Sequence, residues 1–194
     1  GLSIATVAAK PNNAPSAQQT AVFAGGCFWG VDAVFKHVKG VTEVVSGYSG
    51  GAAETAHYEM VSSGATGHAE SIEITYDPTK VTFGQLLKVY FQVAHDPTTL
   101  NRQGHDVGTQ YRSGIYLEHE SQRDTVQQVW SQAQKAYQTE GRQVVTEIQT
   151  LSNYSRAEDY HQQYLAKNPF GYCGLGGTGV SCPIGTGVKA AAAH

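Results

Sequence analysis

Ala21 to Gly25 is a short apolar run closed by glycine, which suits a buried strand. Beyond it, Val31, Val34, Phe35 and Val38 recur at i, i+3, i+4 and i+7 until Gly40, the spacing of one helical face with a glycine past its end. The pair predicts a strand handing over to a helix. Residues 41–45 read as a second strand, and Ile72, Ile74 and Tyr76 alternate with Glu73 and Thr75 until Asp77-Pro78, which predicts a third. Thr82 and Gln85 form a capping-box pattern opening a helix with Leu86, Leu87, Tyr90, Phe91 and Ala94 on one face. A fourth strand is expected over 110–117. A third helix follows, with Val126, Val129, Trp130, Ala133 and Tyr137 on its stripe and Gly141 past its end. Then come a strand over 143–149 and a short helix over 155–166.

The order β-α-β-β-α-β predicts an α+β fold, a two-layer sandwich on a ferredoxin-like βαββαβ core with helices on one face. Residues 1–20 are small and polar without usable periodicity and read as a flexible arm. From Pro169 the chain is glycine-rich, so 169–194 read as a Gly-rich coil and flexible tail, leaving 21–168 as the α+β domain that would carry any chemistry. A first residue other than Met fits an export signal removed upstream or a cut made elsewhere, so a cytoplasmic and an exported location both stay open.

Composition narrows the functional classes. With 194 residues, 40% of them apolar, one sizeable core is expected. The 13 basic residues are scattered and the net charge is −3, so the electrostatic footprint of nucleic-acid binding is missing. No apolar run reaches the roughly 18–20 residues of a membrane span. A soluble monomer acting on a small neutral substrate or a protein fits best. Three cysteines, Cys27, Cys173 and Cys182, are too few for a disulfide scaffold, and neither a CxxC pair nor His at i, i+4 offers metal-ligand spacing. No metal is expected, and cysteine chemistry becomes the question.

Cys27 sits in Gly25-Gly26-Cys27-Phe28-Trp29-Gly30, at the predicted strand-to-helix hinge. A thiol at a helix N-terminus feels unpaired backbone N–H groups and the positive end of the macrodipole, which predicts a lowered pKa. Phe28 and Trp29 offer an apolar pocket for a small alkyl group beside the sulfur. Glu70 enters the third strand; buried beside aromatic surface, its pKa would rise and fit it to act as an acid.

These residues resemble the A-type peptide methionine sulfoxide reductases. The resemblance rests on Gly26-Cys27-Phe28-Trp29-Gly30, Gly67-His68-Ala69-Glu70, Gly108-Thr109-Gln110-Tyr111-Arg112-Ser113, Ala157-Glu158-Asp159-Tyr160-His161-Gln162 and Asn168-Pro169-Phe170-Gly171-Tyr172-Cys173-Gly174, in family order across roughly residues 21–183. It implies that Cys27 attacks the sulfoxide sulfur, Glu70 protonates the oxygen, and Tyr58 and Tyr111 donate hydroxyls to that oxygen. It places Asp106 in the same polar network and makes Phe28 and Trp29 the methyl pocket. It further implies that Cys173 resolves the Cys27 sulfenic acid, that Cys182 relays the disulfide in a three-cysteine subtype, and that thioredoxin or a related dithiol regenerates the enzyme without a cofactor. Substrates would be oxidised proteins or free methionine sulfoxide. His105 stands where the family pattern has Asn, and Ser181 where a second recycling cysteine is expected. His68 and His161 read as structural hydrogen-bonding residues. Two alternatives stay beside this reading: a thiol peroxide reductase, and a non-catalytic binding domain with a conditional Cys173–Cys182 disulfide.

Overall fold

The computed structural model describes residues 18–172. Its main sheet has six strands in the order β7-β6-β1-β3-β2-β8. β1 (Gln19–Gly25) lies at the centre, antiparallel to β3 (Ala69–Tyr76) and β6 (Ser113–Leu117). β2 (Val41–Ser49) pairs antiparallel with β3 and with β8 (Tyr154–Arg156), and β7 (Glu147–Thr150) runs parallel to β6. The subset β6-β1-β3-β2, with α1 (Phe28–Phe35) after β1 and α3 (Phe83–Val89) after β3, is the expected βαββαβ core. α3 opens with the expected capping box and continues into a π-helical turn, Tyr90–Ala94.

The apolar run of β1 is continuous because both its faces are covered. Phe23 packs in the main core with Phe35 and Val31 of α1, Leu86 and Leu87 of α3, and Val126 of α4 (Arg123–Gln138). Its ring lies 4.8 Å from Tyr90 and 5.7 Å from Phe35. Val22 and Ala24 face the other way, in a smaller cluster with Ala69 and Tyr116 that Leu151 and Tyr154 cover.

Several predicted boundaries change. β1 starts at Gln19 and β2 runs on to Ser49, because Ser46, Gly47, Tyr48 and Ser49 are polar or small but lie between β3 and β8. The strand expected from Gln110 is preceded by a 3₁₀ turn, Thr109–Tyr111. Residues 143–146 fall outside β7: the Val144 amide donates to the Gln134 side chain at 2.8 Å and the Val145 amide to Pro97 O at 2.8 Å. The helix expected over 155–166 is a strand, a 3₁₀ turn (Asp159–His161) and one short helix, α5 (Tyr164–Lys167). Gly47 explains the difference, since a Cβ there would lie 2.5 Å from Ser155 O. Its bare backbone draws 154–156 onto the sheet edge. Sequence periodicity gave no sign of α2 (Tyr58–Ser62) or of the hairpin β4 (Arg102–Gln103) and β5 (Asp106–Val107). No helix of the described residues is long and apolar enough to cross a membrane. Apart from 18–20 and 169–172, the predicted arm and coil lie outside the described residues.

Gly47→Ala is expected to destabilise the fold by about 1–3 kcal/mol through overpacking. A lowered urea midpoint checks it; an unchanged midpoint would mean β8 is not held by this close approach.

Candidate active site

The strand-to-helix turn is built on glycine. Gly26 has φ +90°, and a Cβ there would sit 2.6 Å from Gln103 Cγ. Gln103 cannot retreat, because its side-chain amide is held by the Asp96 backbone, accepting the Asp96 N–H at 2.9 Å and donating to Asp96 O. Behind Gly25 the His95 ring fills the space that a side chain would need. His95 bonds Tyr90 O at 2.8 Å and Ser113 Oγ at 2.7 Å, and burial lowers its pKa to about 4. Cys27 follows as the N-cap of α1, its carbonyl accepting the Gly30 amide at 3.2 Å.

The structure reverses the expected thiol shift. Cys27 is only 8% exposed, and burial pushes its pKa well above the usual thiol range. The neighbouring Glu70 and Asp106 add to the rise, while the Trp29 and Gly30 amides pull the other way without balancing it. The helix-terminus effect is present and desolvation outweighs it. At rest Cys27 is a thiol.

Glu70 lies beside it, opposite Tyr48 in the β2–β3 register and 1% exposed. The Phe28 amide donates to its Oε1 at 3.2 Å, joining β3 to the first turn of α1. Burial raises its pKa to about 8, against the pull of that amide and with a push from Asp106. A carboxyl of this kind is protonated at neutral pH and can donate.

Tyr58 and Tyr111 complete the polar side. Burial raises both phenols, with Glu70 the next contributor and Cys27 also felt by each, so both are O–H donors. Asp106, on β5, is raised by burial, while the Tyr172 hydrogen bond and then His105 oppose the rise. Its Oδ1 accepts the Tyr172 O–H at 2.9 Å. That bond brings the chain to the site one residue before Cys173; Cys173 and Cys182 lie outside the described residues.

The apolar side divides in two. Phe28 is buried between Tyr48 and His161, at ring distances of 5.7 and 4.9 Å, whereas Trp29 is half-buried and stacks on Tyr164 at 3.8 Å. Four residues were given no site role in the sequence reading: Tyr48, Glu158, His161 and Tyr164. Glu158 accepts the Tyr58 amide at 3.0 Å and the Tyr48 O–H at 2.8 Å. His161 hydrogen-bonds as expected, but from a 3₁₀ turn rather than a helix face. For Glu158 and His161 the signal was the Ala157–Gln162 motif, which no periodicity marks; Tyr48 and Tyr164 lie outside it. Among the described residues no group of three or more His, Cys, Asp or Glu could hold a metal ion.

Comparison with known proteins gives a consistent picture. Residues 19–179 match the family profile described as peptide methionine sulfoxide reductase. "Peptide methionine sulfoxide reductase MsrA 2" of Mesorhizobium japonicum is 58% identical over 151 residues, 78% of this chain and 77% of that protein. Methionine sulfoxide reductase A of Corynebacterium diphtheriae superposes with a TM-score of 0.77 at 39% identity, covering 86% of this chain and 82% of its own. Mxr1 from Saccharomyces cerevisiae in reduced form gives 0.73 at 32% identity, covering 88% and 92%. Mxr1 has also been solved in complex with Trx2, where the likeness, at 22% identity and TM-score 0.52 over 80% and 90% of the chains, is one of fold.

Glu70 makes stability depend on pH. Its pKa is raised on folding from 4.5 to about 8, so the folded state holds a proton that the unfolded chain releases. Its contribution is complete below about pH 4.5 and is lost as pH rises through 8. Over that window the parent chain should lose stability relative to Glu70→Gln, measured by urea unfolding of both at several pH values. A constant difference would place the carboxyl in a solvated setting.

Proposed function

The chain belongs to the peptide methionine sulfoxide reductase family, and from that premise we propose that it reduces methionine S-sulfoxide, free or in proteins, as a monomer using Cys27 as nucleophile. The observation that carries the mechanism is the burial of Glu70 beside the Cys27 thiol, which raises the Glu70 pKa to about 8 and the thiol's well above its usual range. Family membership sets aside the binding-domain alternative, and the Phe28–Trp29 side favours a substrate with a methyl group over a peroxide.

The sulfoxide lies with its methyl group toward Phe28 and Trp29 and its oxygen toward Glu70, Tyr58 and Tyr111. As Cys27 sulfur attacks the sulfoxide sulfur, negative charge grows on the oxygen, and Glu70 delivers its proton there. Phenolic O–H groups held in place beforehand stabilise that charge more in the transition state than in the ground state. The Cys27 proton passes to the Glu70 carboxylate as its sulfur bonds, so Glu70 is protonated again and the site gains no net charge. The sulfur–oxygen bond breaks as the oxygen takes a second proton from Glu70 and leaves as water. Water then adds to the Cys27 sulfur, returning a proton to Glu70, and the sulfur–sulfur bond breaks with its electron pair kept by the substrate sulfur, giving methionine, reduced by two electrons, and a Cys27 sulfenic acid, oxidised by two.

The Cys173 thiol then displaces hydroxide, which leaves as water with the thiol proton, and forms a Cys27–Cys173 disulfide. Cys182 exchanges into it, freeing Cys27. A dithiol reductant of the thioredoxin class takes the disulfide back to two thiols, as the Mxr1–Trx2 pairing suggests for a relative. The Tyr172–Asp106 bond supports the Cys173 assignment by anchoring the preceding residue at the site. No cofactor enters these steps.

Glu70→Gln keeps an acceptor for the Phe28 amide but loses the proton. Sulfoxide reduction should slow about 100-fold or more, and an unchanged single-turnover rate would remove Glu70 from the chemistry. Cys173→Ser should release one methionine per enzyme and then stall with thioredoxin; sustained turnover would move the resolving role to Cys182. Trp29→Ala should raise the half-saturating sulfoxide concentration in single-turnover methionine release, and an unaltered value would return Trp29 to the core.

A further inference from the structure

Trp29 has a polar edge that a methyl pocket does not require, and the structure gives that edge a dedicated partner. The indole N–H donates to His161 Nδ1 at 2.9 Å, across 132 positions of sequence. The His161 ring is wholly buried and meets Phe28 at 4.9 Å, Tyr58 at 4.4 Å and Tyr160 at 4.1 Å. One imidazole therefore touches both residues of the apolar side and one hydroxyl donor.

Its hydrogen bonding is one-sided. To accept at Nδ1 the ring must be neutral with its proton on Nε2. Burial holds the pKa down, while Glu158 on the same segment pulls it up. Nε2 lies 3.9 Å from Glu158 Oε1, beyond hydrogen-bond reach, and has no partner among the described residues. Glu158 is instead committed to the Tyr58 amide and the Tyr48 hydroxyl. The bond to Trp29 is the single hydrogen bond of the His161 side chain among the described residues.

The geometry of Trp29 needs such a bond. A stack at 12° and 3.8 Å on Tyr164 orients the plane of the indole but does not by itself select the direction of its N–H within that plane. A directional bond at Nε1 selects it. We propose that His161 is the positioning residue that sets the in-plane orientation of Trp29 and thereby the shape of the pocket for the sulfoxide's methyl group. This rests on the reading of Trp29 as a wall of that pocket.

The test is a double-mutant cycle on single-turnover methionine release from a methionine S-sulfoxide. His161→Phe keeps an aromatic ring but cannot accept. It should raise the half-saturating concentration about tenfold, the worth of about one hydrogen bond, with the saturated rate changed less than about twofold. His161→Asn, which returns an oxygen near the Nδ1 position, should recover most of that loss, whereas His161→Gln, with its acceptor near Nε2, should not. In a Trp29→Phe background, which lacks the indole N–H, His161→Phe should have almost no further effect. The Asn and Gln pair supplies the same contrast if His161→Phe does not fold. An equal loss in both backgrounds, or a loss confined to the saturated rate, overturns the proposal and makes His161 a packing residue. Weakened binding in Trp29→Ala with unchanged binding in His161→Phe also overturns it, leaving the pocket reading intact. Unchanged binding in Trp29→Ala would instead remove the pocket reading and this inference with it.

Discussion

The Glu70 carboxyl and the Cys27 thiol are buried beside one another, and a charge on Glu70 raises the energy of a Cys27 thiolate. In water a carboxyl would be ionised and a thiol would ionise before a phenol. Here both hold their protons, because an isolated negative charge in so buried a place is costly and a second one beside it more so. In the proposed mechanism a neutral sulfoxide meets a neutral site, and charge develops only as the sulfur–sulfur contact forms, on an oxygen facing acidic hydrogens. That mechanism ties reactivity to substrate binding rather than to a standing thiolate, and a thiol kept protonated is also a poor target for stray oxidants.

The scaffold maintains that burial through a few close contacts. Gly26, at positive φ against a Gln103 clamped to the Asp96 backbone, lets the chain turn out of the central strand with no side chain in the way. The Phe28 amide on Glu70 fixes the first turn of α1 to β3. From the far end of the sequence, the segment after β8 closes the opposite wall. Glu158 holds the helix that carries Tyr58, His161 holds the Trp29 indole, and Tyr164 lies flat against it. The site is therefore assembled from segments a hundred or more residues apart in sequence.

Much of this was legible in the sequence where the signal is local. The 21–25 run and the heptad-like spacing from Val31 placed Cys27 at a strand-to-helix turn, and the Thr82–Gln85 pair marked the start of α3. The α+β core followed from element order. What was illegible depended on distant partners. Tyr154-Ser155-Arg156 shows no alternation and became a strand because Gly47, more than a hundred residues earlier, leaves a bare backbone for it to approach. The direction of the Cys27 shift failed for the same reason: the helix terminus is written in the local sequence, whereas burial, and then the charges of Glu70 and Asp106, come from segments distant in the chain. His161 read as a hydrogen-bonding residue, but that its partner is Trp29 appears only when residues 132 positions apart are brought together.

The central claim is that Glu70 is a neutral acid at the pH where the enzyme works, and the protonation state of that one carboxyl can be followed directly. Side-chain carboxyl ¹³C resonances of a glutamate-labelled chain, with Glu70 assigned by its loss in Glu70→Gln, should show a midpoint near pH 8. A midpoint in the ordinary range near 4.5 would mean that Glu70 is already a carboxylate at neutral pH, and the proton would have to come from elsewhere.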